Sequence, residues 1–298
     1  MKRVILLSIA LIFAITISSC EQAQDTNLQI SNTSGGNLVM MGGGPRPADV
    51  MELIVSLSPD STFLLVPMAS GIPDTIGWEQ RDQFYEHGAK SVEILMMEHG
   101  DYTKPEVVEK VRNARGIWFS GGDQNRLMEY FGSEEIREAV REAWRNGAVI
   151  AGTSAGTAVQ SKTMITGDER YPLPRRFNWF SQVRHDNVIT SEGFGLVENI
   201  VIDQHFIKRN RLNRLINVML DSEDQYAAGI DEATALWFKP NGEVEVVGES
   251  QVMILESNHV EVAVSDSLLA AKGMQFHILT PGSTFQWRNN QISDIRIR

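Results

Sequence analysis

The chain has 298 residues, of which 42% are hydrophobic and 22% are charged, so it is long and apolar enough to fold around a full core. Its formal net charge of −11 argues against a nucleic-acid partner, because proteins that bind phosphate backbones present a basic surface. The composition therefore predicts a globular protein with one large domain.

The N-terminus predicts a leader and a tether. Lys2 and Arg3 precede the apolar run VILLSIALIFAI and the small residues of TISSC, which is the pattern of a secretory signal at 1–19. Cys20 is the only cysteine of the sequence and ends TISSC, where it resembles the acylated cysteine of a bacterial lipoprotein. An ordinary signal peptide with a chance cysteine is the alternative. The polar stretch at 20–37 predicts a flexible tether.

A lipid on Cys20 would place the protein in the bacterial cell envelope, outside the cytoplasm, on the periplasmic side or at the surface. The membrane would then be a partner through the N-terminal anchor. An acylated cysteine is no free thiol, so disulfides, thiol catalysis and cysteine-ligated metals are not expected.

From residue 38 onward, apolar runs alternate with segments of helical spacing. The predicted strands are NLVMMGGG, STFLLVPMAS, SVEILMM, GIWFSGG and AVIAGTSAG, and the predicted helices are RPADVMELIVSLS, WEQRDQFYEHGA, KPEVVEKVRNA, DQNRLMEYF and EEIREAVREAWRNG. Strands that alternate with helices of this length predict parallel strands joined by right-handed crossovers. We therefore expect an α/β fold, a three-layer α/β/α sandwich with a mostly parallel sheet.

The second half of the chain begins with an irregular segment. Residues 167–185 are rich in proline, arginine and aromatic residues, which is typical of a disordered loop or of a lid. GLVENIVIDQHF then predicts a strand, IKRNRLNRLINVML a helix, and AAGIDEATALWF a further strand with an acidic interruption. Beyond residue 240 the pattern predicts antiparallel strands that extend the edge of the sheet. Residues 38–298 are thus expected to form a single domain.

Three glycine-rich segments follow predicted strands: GGG at 42–44, SGGDQ at 120–124 and GTSAG at 152–156. Ligands of open α/β sheets collect at the carboxyl ends of the strands, so we expect these segments to meet there. Neither the G-x-G-x-x-G spacing nor a P-loop lysine is present, which disfavours a dinucleotide site. No cofactor is therefore expected.

Ser154 stands at the centre of GTSAG, between a predicted strand and helix-forming residues. In the G-x-S-x-G pattern a sharp turn lifts the serine hydroxyl above the sheet, and the helix N-terminus favours a developing negative charge. A serine that only caps a helix in a tight turn is the alternative. As a nucleophile, Ser154 would need a base within hydrogen-bond reach.

His205 is the best placed of the six histidines to be that base, because it follows the apolar strand NIVI at another strand end. Asp231 and Glu232 interrupt the apolar segment GIDEATAL, where an unpaired buried charge would cost roughly 3–5 kcal/mol. We favour Glu232 as the acid that orients His205, and Asp231 could be a turn residue. The order Ser, His, Glu differs from the Ser, acid, His order of α/β-hydrolases.

The segments SGGDQ, GTSAG, DQHFIKRNRLNRL and GIDEATAL, in this order and spacing, closely resemble the cyanophycinases and the related aspartyl dipeptidases. These are serine peptidases with a class I glutamine amidotransferase-like fold, and the resemblance covers nearly all of residues 38–280. It implies that Ser154 is the nucleophile, His205 the general base and Glu232 its orienting acid.

The same resemblance assigns roles around the nucleophile. It implies oxyanion donors on the backbone of Gly122 and Ala155. The residues that match substrate-holding positions of the family are Gln124, Asp203, Gln204, Arg209, Arg211 and Arg214. Arginine binds a substrate carboxylate with two parallel hydrogen bonds, whereas a substrate guanidinium would pair with an acid such as Asp203. A solvated basic helix face is the alternative for the arginines.

Cyanophycinases cleave a polymer with an aspartate backbone and arginine side chains and release β-aspartyl-arginine dipeptides. The resemblance therefore implies a metal-free serine peptidase that acts through an acyl-enzyme on this polymer, cyanophycin, or on related β-aspartyl peptides. A dipeptidase of the same fold for α-aspartyl or isoaspartyl peptides is one alternative, and a non-catalytic surface binding protein is another. The leader suggests scavenging outside the cytoplasm, and because relatives are often dimers, a homodimer is a further expectation.

Overall fold

The computed structural model of the chain describes residues 35–174 and 180–298. The predictions of a signal peptide at 1–19 and of an acylated Cys20 lie outside these ranges. Within them, no helix is both long and apolar enough to cross a bilayer.

The end of the predicted tether at 20–37 was wrongly placed, because residues 35–37 pack into the fold. The Gly36 N–H donates to the Trp144 carbonyl at 2.6 Å, and the Trp144 indole donates to the Gly36 carbonyl at 2.9 Å. Asn37 Oδ1 accepts from the Trp237 indole at 2.8 Å. These residues belong to the same compact unit as the rest of the described chain.

The described ranges contain helices and strands in the alternation that the sequence predicts as far as residue 153. The helices are α1 (Ala48–Ser56), α2 (Pro73–Glu86), α3 (Pro105–Arg112), α4 (Gln124–Phe131), α5 (Glu134–Arg145), α6 (Ala155–Ala158) and α7 (Leu212–Asp221), with a 3₁₀ turn at Asp101–Thr103. The strands of the first half are β1 (Leu38–Met41), β2 (Thr62–Val66), β3 (Ser91–Ile94), β4 (Gly116–Phe119) and β5 (Val149–Thr153). The strands of the second half are β6 (Thr163–Glu169), β7 (Val188–Glu192), β8 (Ile200–Asp203), β9 (Tyr226–Ile230), β10 (Thr234–Phe238), β11 (Glu243–Gly248), β12 (Val252–Glu256), β13 (Glu261–Ser265), β14 (Leu268–Lys272), β15 (Gln275–Leu279), β16 (Thr284–Arg288) and β17 (Gln291–Arg296).

The main sheet has the order β17-β16-β11-β10-β1-β5-β4-β2-β3. The pairs β1–β5, β5–β4, β4–β2 and β2–β3 are parallel, as the alternation of strands and helices predicts. The pairs β1–β10, β10–β11, β11–β16 and β16–β17 are antiparallel. The predicted α/β fold with an antiparallel C-terminal extension of the sheet is therefore confirmed.

A second sheet, which the sequence analysis did not predict, has the order β15-β12-β9-β8. The segment AAGIDEATALWF is not one strand: β9 ends at Ile230 in the second sheet, and β10 begins at Thr234 in the main sheet. The turn at Asp231–Ala233 connects them, and Ala233 has a φ of 55°. The acidic interruption is thus the passage from one sheet to the other.

Helices cover both faces of the main sheet. Val39 and Met41 of β1 join the core that α1 and α2 cover, whereas Leu38 and Met40 join the core with α3, α4, α5 and the inner face of the second sheet. The other face of the second sheet packs on α7. The predicted helix IKRNRLNRLINVML begins only at Leu212, because the chain turns after β8.

Candidate active site

Ser154 lies in a sharp turn between β5 and α6, with φ 53° and ψ −111°. This conformation is costly for a residue with a side chain and persists only where the surroundings impose it. A Cβ at Gly152 would lie 2.3 Å from the Gly156 carbonyl oxygen, and one at Gly156 would lie 2.0 Å from that of Phe119. The two glycines of G-x-S-x-G therefore allow the tight backbone packing that holds Ser154 above the sheet.

Ser154, His205 and Glu232 form a chain of hydrogen bonds. His205 Nε2 lies 2.9 Å from Ser154 Oγ, and His205 Nδ1 lies 2.6 Å from Glu232 Oε1. The side chain of His205 is 8% exposed and that of Glu232 is 22% exposed. With the proton on Nδ1 facing the carboxylate, Nε2 is free to accept the serine proton, which is the arrangement of an activated nucleophile.

The glycines at 42–44 make room for this chain of hydrogen bonds. A Cβ at Gly43 would lie 2.4 Å from His205 Cε1, and one at Gly44 would lie 2.8 Å from Glu232 Cβ. The Gly42 carbonyl accepts from the His205 N–H at 2.6 Å. The sequence predicts these glycines at the edge of the sheet but does not indicate that they make room for a side chain. Three consecutive glycines after a buried strand are the pattern that could have indicated this close packing.

The surroundings keep His205 neutral. Burial is the largest cause that lowers its pKa below the usual 6.5; the positive charges of Arg209 and Arg211 also lower it, while the hydrogen bond to Glu232 opposes the shift. An imidazole with a lowered pKa is unprotonated at neutral pH and can act as a general base.

Gly122 follows β4 and lines the same cavity as Ser154, and Ala155 directly follows Ser154 at the start of α6. Gly122 has a φ of 144°, and a Cβ there would lie 2.1 Å from the Ala69 carbonyl oxygen. At neighbouring Gly121, a Cβ would lie 3.4 Å from that of Ser154. Within the described chain, the N–H groups of Gly122 and Ala155 donate to no carbonyl or side chain, so both donors are unoccupied.

A cavity of about 260 Å³ opens beside Ser154. Of the predicted substrate-binding residues, Gln124, Gln204, Arg209, Arg211 and Arg214 line it, and Asp203 does not. The rest of the wall is polar and consists of Gly122, Asp123, Asn125, Thr166, Gly167 and Asp168. Among the described residues, no group of three or more His, Cys, Asp or Glu side chains is arranged to hold a metal ion.

Comparison with known proteins agrees with this site. The profile of peptidase family S51 matches residues 33–246, more than half of the sequence. The chain belongs to peptidase family S51. The cyanophycinase of Nostoc sp. is 32% identical over 277 residues, which cover 89% of this chain and 90% of that protein. The cyanophycinase of Synechococcus elongatus is 30% identical over 241 residues, which cover 78% and 72% of the two chains.

Solved structures agree with the family. The crystal structure of a peptidase from an acI-B1 Actinobacterium matches with a TM-score of 0.62 and 25% identity, over 87% of this chain and 100% of that one. A putative peptidase E protein from Listeria monocytogenes, with a TM-score of 0.50 and 18% identity, covers 72% of this chain and 100% of that one and shares the fold. The chain is thus a serine-type peptidase.

Asp203 of this S51 peptidase is buried and paired, so the expectation that it would meet a substrate guanidinium is wrong. Its side chain is 0% exposed, and both of its oxygens accept from the Arg214 guanidinium, with 2.7 Å between Arg214 Nε and Oδ2. A buried ion pair needs this complete hydrogen bonding to offset desolvation. Asp203 therefore holds Arg214 at the wall of the cavity.

Some of the other residues predicted to bind substrate already make hydrogen bonds within the protein. Arg211 Nη1 donates to the carbonyl of Gln204 at 2.7 Å and to its side-chain oxygen. Burial and then the charge of Arg214 lower the pKa of Arg211 to about 10, so it stays charged at neutral pH. Gln124 Nε2 donates to the Ile165 and Thr166 carbonyls, whereas Arg209 is exposed and has no ion pair within the described chain.

Asp231 does not contact His205. Its Oδ1 accepts from the Lys208 N–H at 2.9 Å, and its Oδ2 accepts from Ser250 Oγ at 2.8 Å. It therefore fixes the turn that follows His205 against the passage between the sheets. The sequence left open that Asp231 could be a turn residue, and its pattern gave no sign of the contacts to Lys208 and Ser250.

The segment 167–185 is ordered at its beginning. β6 continues to Glu169 and pairs with β7 in an antiparallel ladder. Residues 175–179 lie outside the described ranges, so the prediction of a lid stays a prediction.

Proposed function

We propose that this S51 peptidase cleaves cyanophycin or a related β-aspartyl peptide, with Ser154 as nucleophile, His205 as general base and Glu232 as the acid that orients His205. The observation that carries the proposal is the hydrogen-bonded chain from Ser154 Oγ through the imidazole to the Glu232 carboxylate. A protein that only binds a ligand would not need Ser154 in a strained turn with its hydroxyl 2.9 Å from the neutral imidazole of His205.

In the proposed reaction, Ser154 Oγ attacks the carbonyl carbon of the scissile amide while His205 Nε2 takes the hydroxyl proton. The N–H groups of Gly122 and Ala155 stabilise the negative charge on the carbonyl oxygen. The imidazolium then gives its proton to the leaving amine, and an acyl-enzyme remains. Water, deprotonated by His205, hydrolyses this ester and restores Ser154.

The arginines beside Ser154 support an aspartyl substrate. Each aspartyl unit brings a carboxylate or a carbonyl oxygen close to the scissile bond, and guanidinium groups donate to such oxygens in pairs. Arg209 lines the cavity and has no ion pair among the described residues, while Asp203 holds Arg214 in a fixed orientation. The names of the relatives, cyanophycinases, point to the same polymer.

Labelling with a fluorophosphonate probe tests the catalytic assignment. We expect the wild type to be labelled and Ser154→Ala not to be labelled, because only a serine activated by a base reacts. Ser56→Ala is the matched control, since Ser56 is exposed at the end of α1 and bonds only to the Leu53 carbonyl. Equal labelling of wild type and Ser154→Ala would show that the proposed nucleophile is wrong.

Incubation with cyanophycin and with a panel of α- and β-aspartyl dipeptides tests the substrate. Mass spectrometry should detect β-aspartyl-arginine from the polymer with the wild type and nothing with Ser154→Ala. Cleavage of the dipeptides without cleavage of the polymer would instead assign the protein as an aspartyl dipeptidase.

We also propose that Cys20 carries a lipid and anchors the peptidase in the cell envelope. The support is its position after an apolar run and small residues. The full-length protein should partition into the detergent phase of a bacterial membrane extract, and Cys20→Ala should partition into the aqueous phase. Partition of the full-length protein into the aqueous phase would exclude the anchor.

A further inference from the structure

The cavity beside Ser154 is lined by two carboxylates as well as by arginines. Asp123 is committed to the fold, because its Oδ1 accepts from the Asn125 N–H at 2.8 Å and so caps α4. Asp168 is exposed, and within the described chain its carboxylate has no hydrogen bond or ion pair. The cavity therefore contains an unpaired carboxylate in a wall that also carries three arginines.

The backbone, and not the side chain, holds Asp168 in place. Gln124 Nε2 donates to the Ile165 carbonyl at 2.8 Å and to the Thr166 carbonyl at 2.6 Å, which fixes β6 to the first turn of α4. Thr166 Oγ1 accepts from the Asp168 N–H at 3.3 Å, and Gly167 has a φ of 102° at an irregularity of the β6–β7 ladder. The carboxylate thus projects from an ordered strand, with its oxygens left for a ligand.

Charges of both signs in one cavity indicate a ligand that also carries both. Arg214 pairs with Asp203, and Arg211 is hydrogen-bonded to Gln204. Among the described residues that line the cavity, Arg209 and Asp168 are therefore the charged side chains with no hydrogen bond or ion pair. A purely acidic peptide would be repelled by the carboxylate. A peptide unit with a carboxylate and a guanidinium could satisfy both groups.

We propose that Asp168 determines specificity by binding the guanidinium of an arginine side chain of the substrate, while the arginines of the cavity bind its aspartyl carboxylate. This inference rests on the proposed function and narrows the substrate to aspartyl units that bear arginine. It assigns a role to the beginning of segment 167–185, which the catalytic chain of hydrogen bonds does not use.

Two soluble oligomers test the proposal. One has two aspartates that each carry arginine on the β-carboxyl group, and the other has citrulline in place of both arginines, with nearly the same shape and no charge. The wild type should cleave the arginine oligomer with a kcat/KM about ten- to a hundredfold higher, as expected for a charge-assisted hydrogen-bonded pair. Asp168→Asn should bring this ratio close to one, mainly by raising KM for the arginine oligomer.

Asp186→Asn is the matched control, because Asp186 directly follows the segment 167–185, pairs with Arg170 at 3.2 Å and does not line the cavity. It should keep the wild-type ratio. Asp168→Lys should reverse the preference, so that an oligomer with glutamate in place of arginine is cleaved faster than the arginine oligomer.

The proposal is overturned if Asp168→Asn lowers kcat/KM for both oligomers by the same factor, or if the wild type cleaves both equally well. Either result leaves the proposed function intact, because the oligomers are still cleaved. If the wild type cleaves neither oligomer, nor the polymer, the proposed function itself is wrong, and the role of Asp168 is rejected with it.

Discussion

Replacing Glu232 by glutamine removes the negative charge beside His205 and leaves the shape of the side chain almost unchanged. Glu232 Oε1 lies 2.6 Å from His205 Nδ1, and both side chains are largely shielded from water. As Ser154 attacks, the imidazole gains a proton and a positive charge, which the carboxylate stabilises. Glu232→Gln therefore acts on the transition state more than on substrate binding.

The expected loss of kcat follows from the distance between the charges of the Glu232 carboxylate and the His205 imidazolium. Two unit charges roughly 4 Å apart at an effective dielectric constant of about 20 attract each other by about 4 kcal/mol. Each 1.4 kcal/mol is a factor of about ten, so kcat should fall about a thousandfold. If the amide NH₂ faces Nδ1, His205 adopts the wrong tautomer, and the loss approaches roughly ten-thousandfold.

Steady-state cleavage of the arginine oligomer measures this effect, with circular dichroism as the test of folding. Asp231→Asn is the comparison, because the neighbouring carboxylate bonds to Lys208 and Ser250 and not to His205. We expect it to lower stability and to reduce kcat less than tenfold. A loss below tenfold in folded Glu232→Gln would refute the orienting role, and so would equal losses in the two variants.

Three further predictions concern pH and stability. In Arg209→Ala, the pKa of His205 should rise because a positive charge that lowers it is gone; kcat/KM, which increases as the imidazole deprotonates, should then rise at higher pH than in the wild type. Gly156→Ala should give little folded protein in thermal melts, since its Cβ would lie 2.0 Å from a backbone carbonyl oxygen. Asp203→Asn should lower the free energy of unfolding in urea by about 3–5 kcal/mol by leaving Arg214 buried without its counter-charge, and an unchanged midpoint would contradict this.

The parallel half of the fold could be predicted from sequence because its signals are local. Each strand is a short apolar run, and each helix has its own periodicity, so chain order alone gives the alternation. The second sheet could not be predicted, because β9 and β10 are both apolar and only a turn of three residues separates them. Which sheet each of these strands joins depends on its pairing with strands distant in sequence, and the hydrophobic periodicity of the chain carries no information about that pairing.

Part of the candidate site could also be predicted from local sequence patterns. The G-x-S-x-G turn and the strand end before His205 are local signals, and the structure brings Ser154, His205 and Glu232 within hydrogen-bond distance. The expectation for Asp203 failed because pairing with Arg214 depends on the turn after β8, which the sequence pattern extends as a helix. The role of the glycines at 42–44 depends on how closely the imidazole approaches, which is also a tertiary property.

The three proposed catalytic residues belong to different parts of the β-structure. Ser154 follows a strand of the main sheet, His205 follows a strand of the second sheet, and Glu232 lies in the passage between the two. The catalytic rate therefore depends on how the two sheets are aligned. A shift of about 1 Å between them would separate each hydrogen-bond donor of the site from its acceptor, while the hydrogen bonds within each sheet stayed intact. On heating, a variant with a mildly destabilised core between the sheets should lose its peptidase activity well below the temperature at which it unfolds.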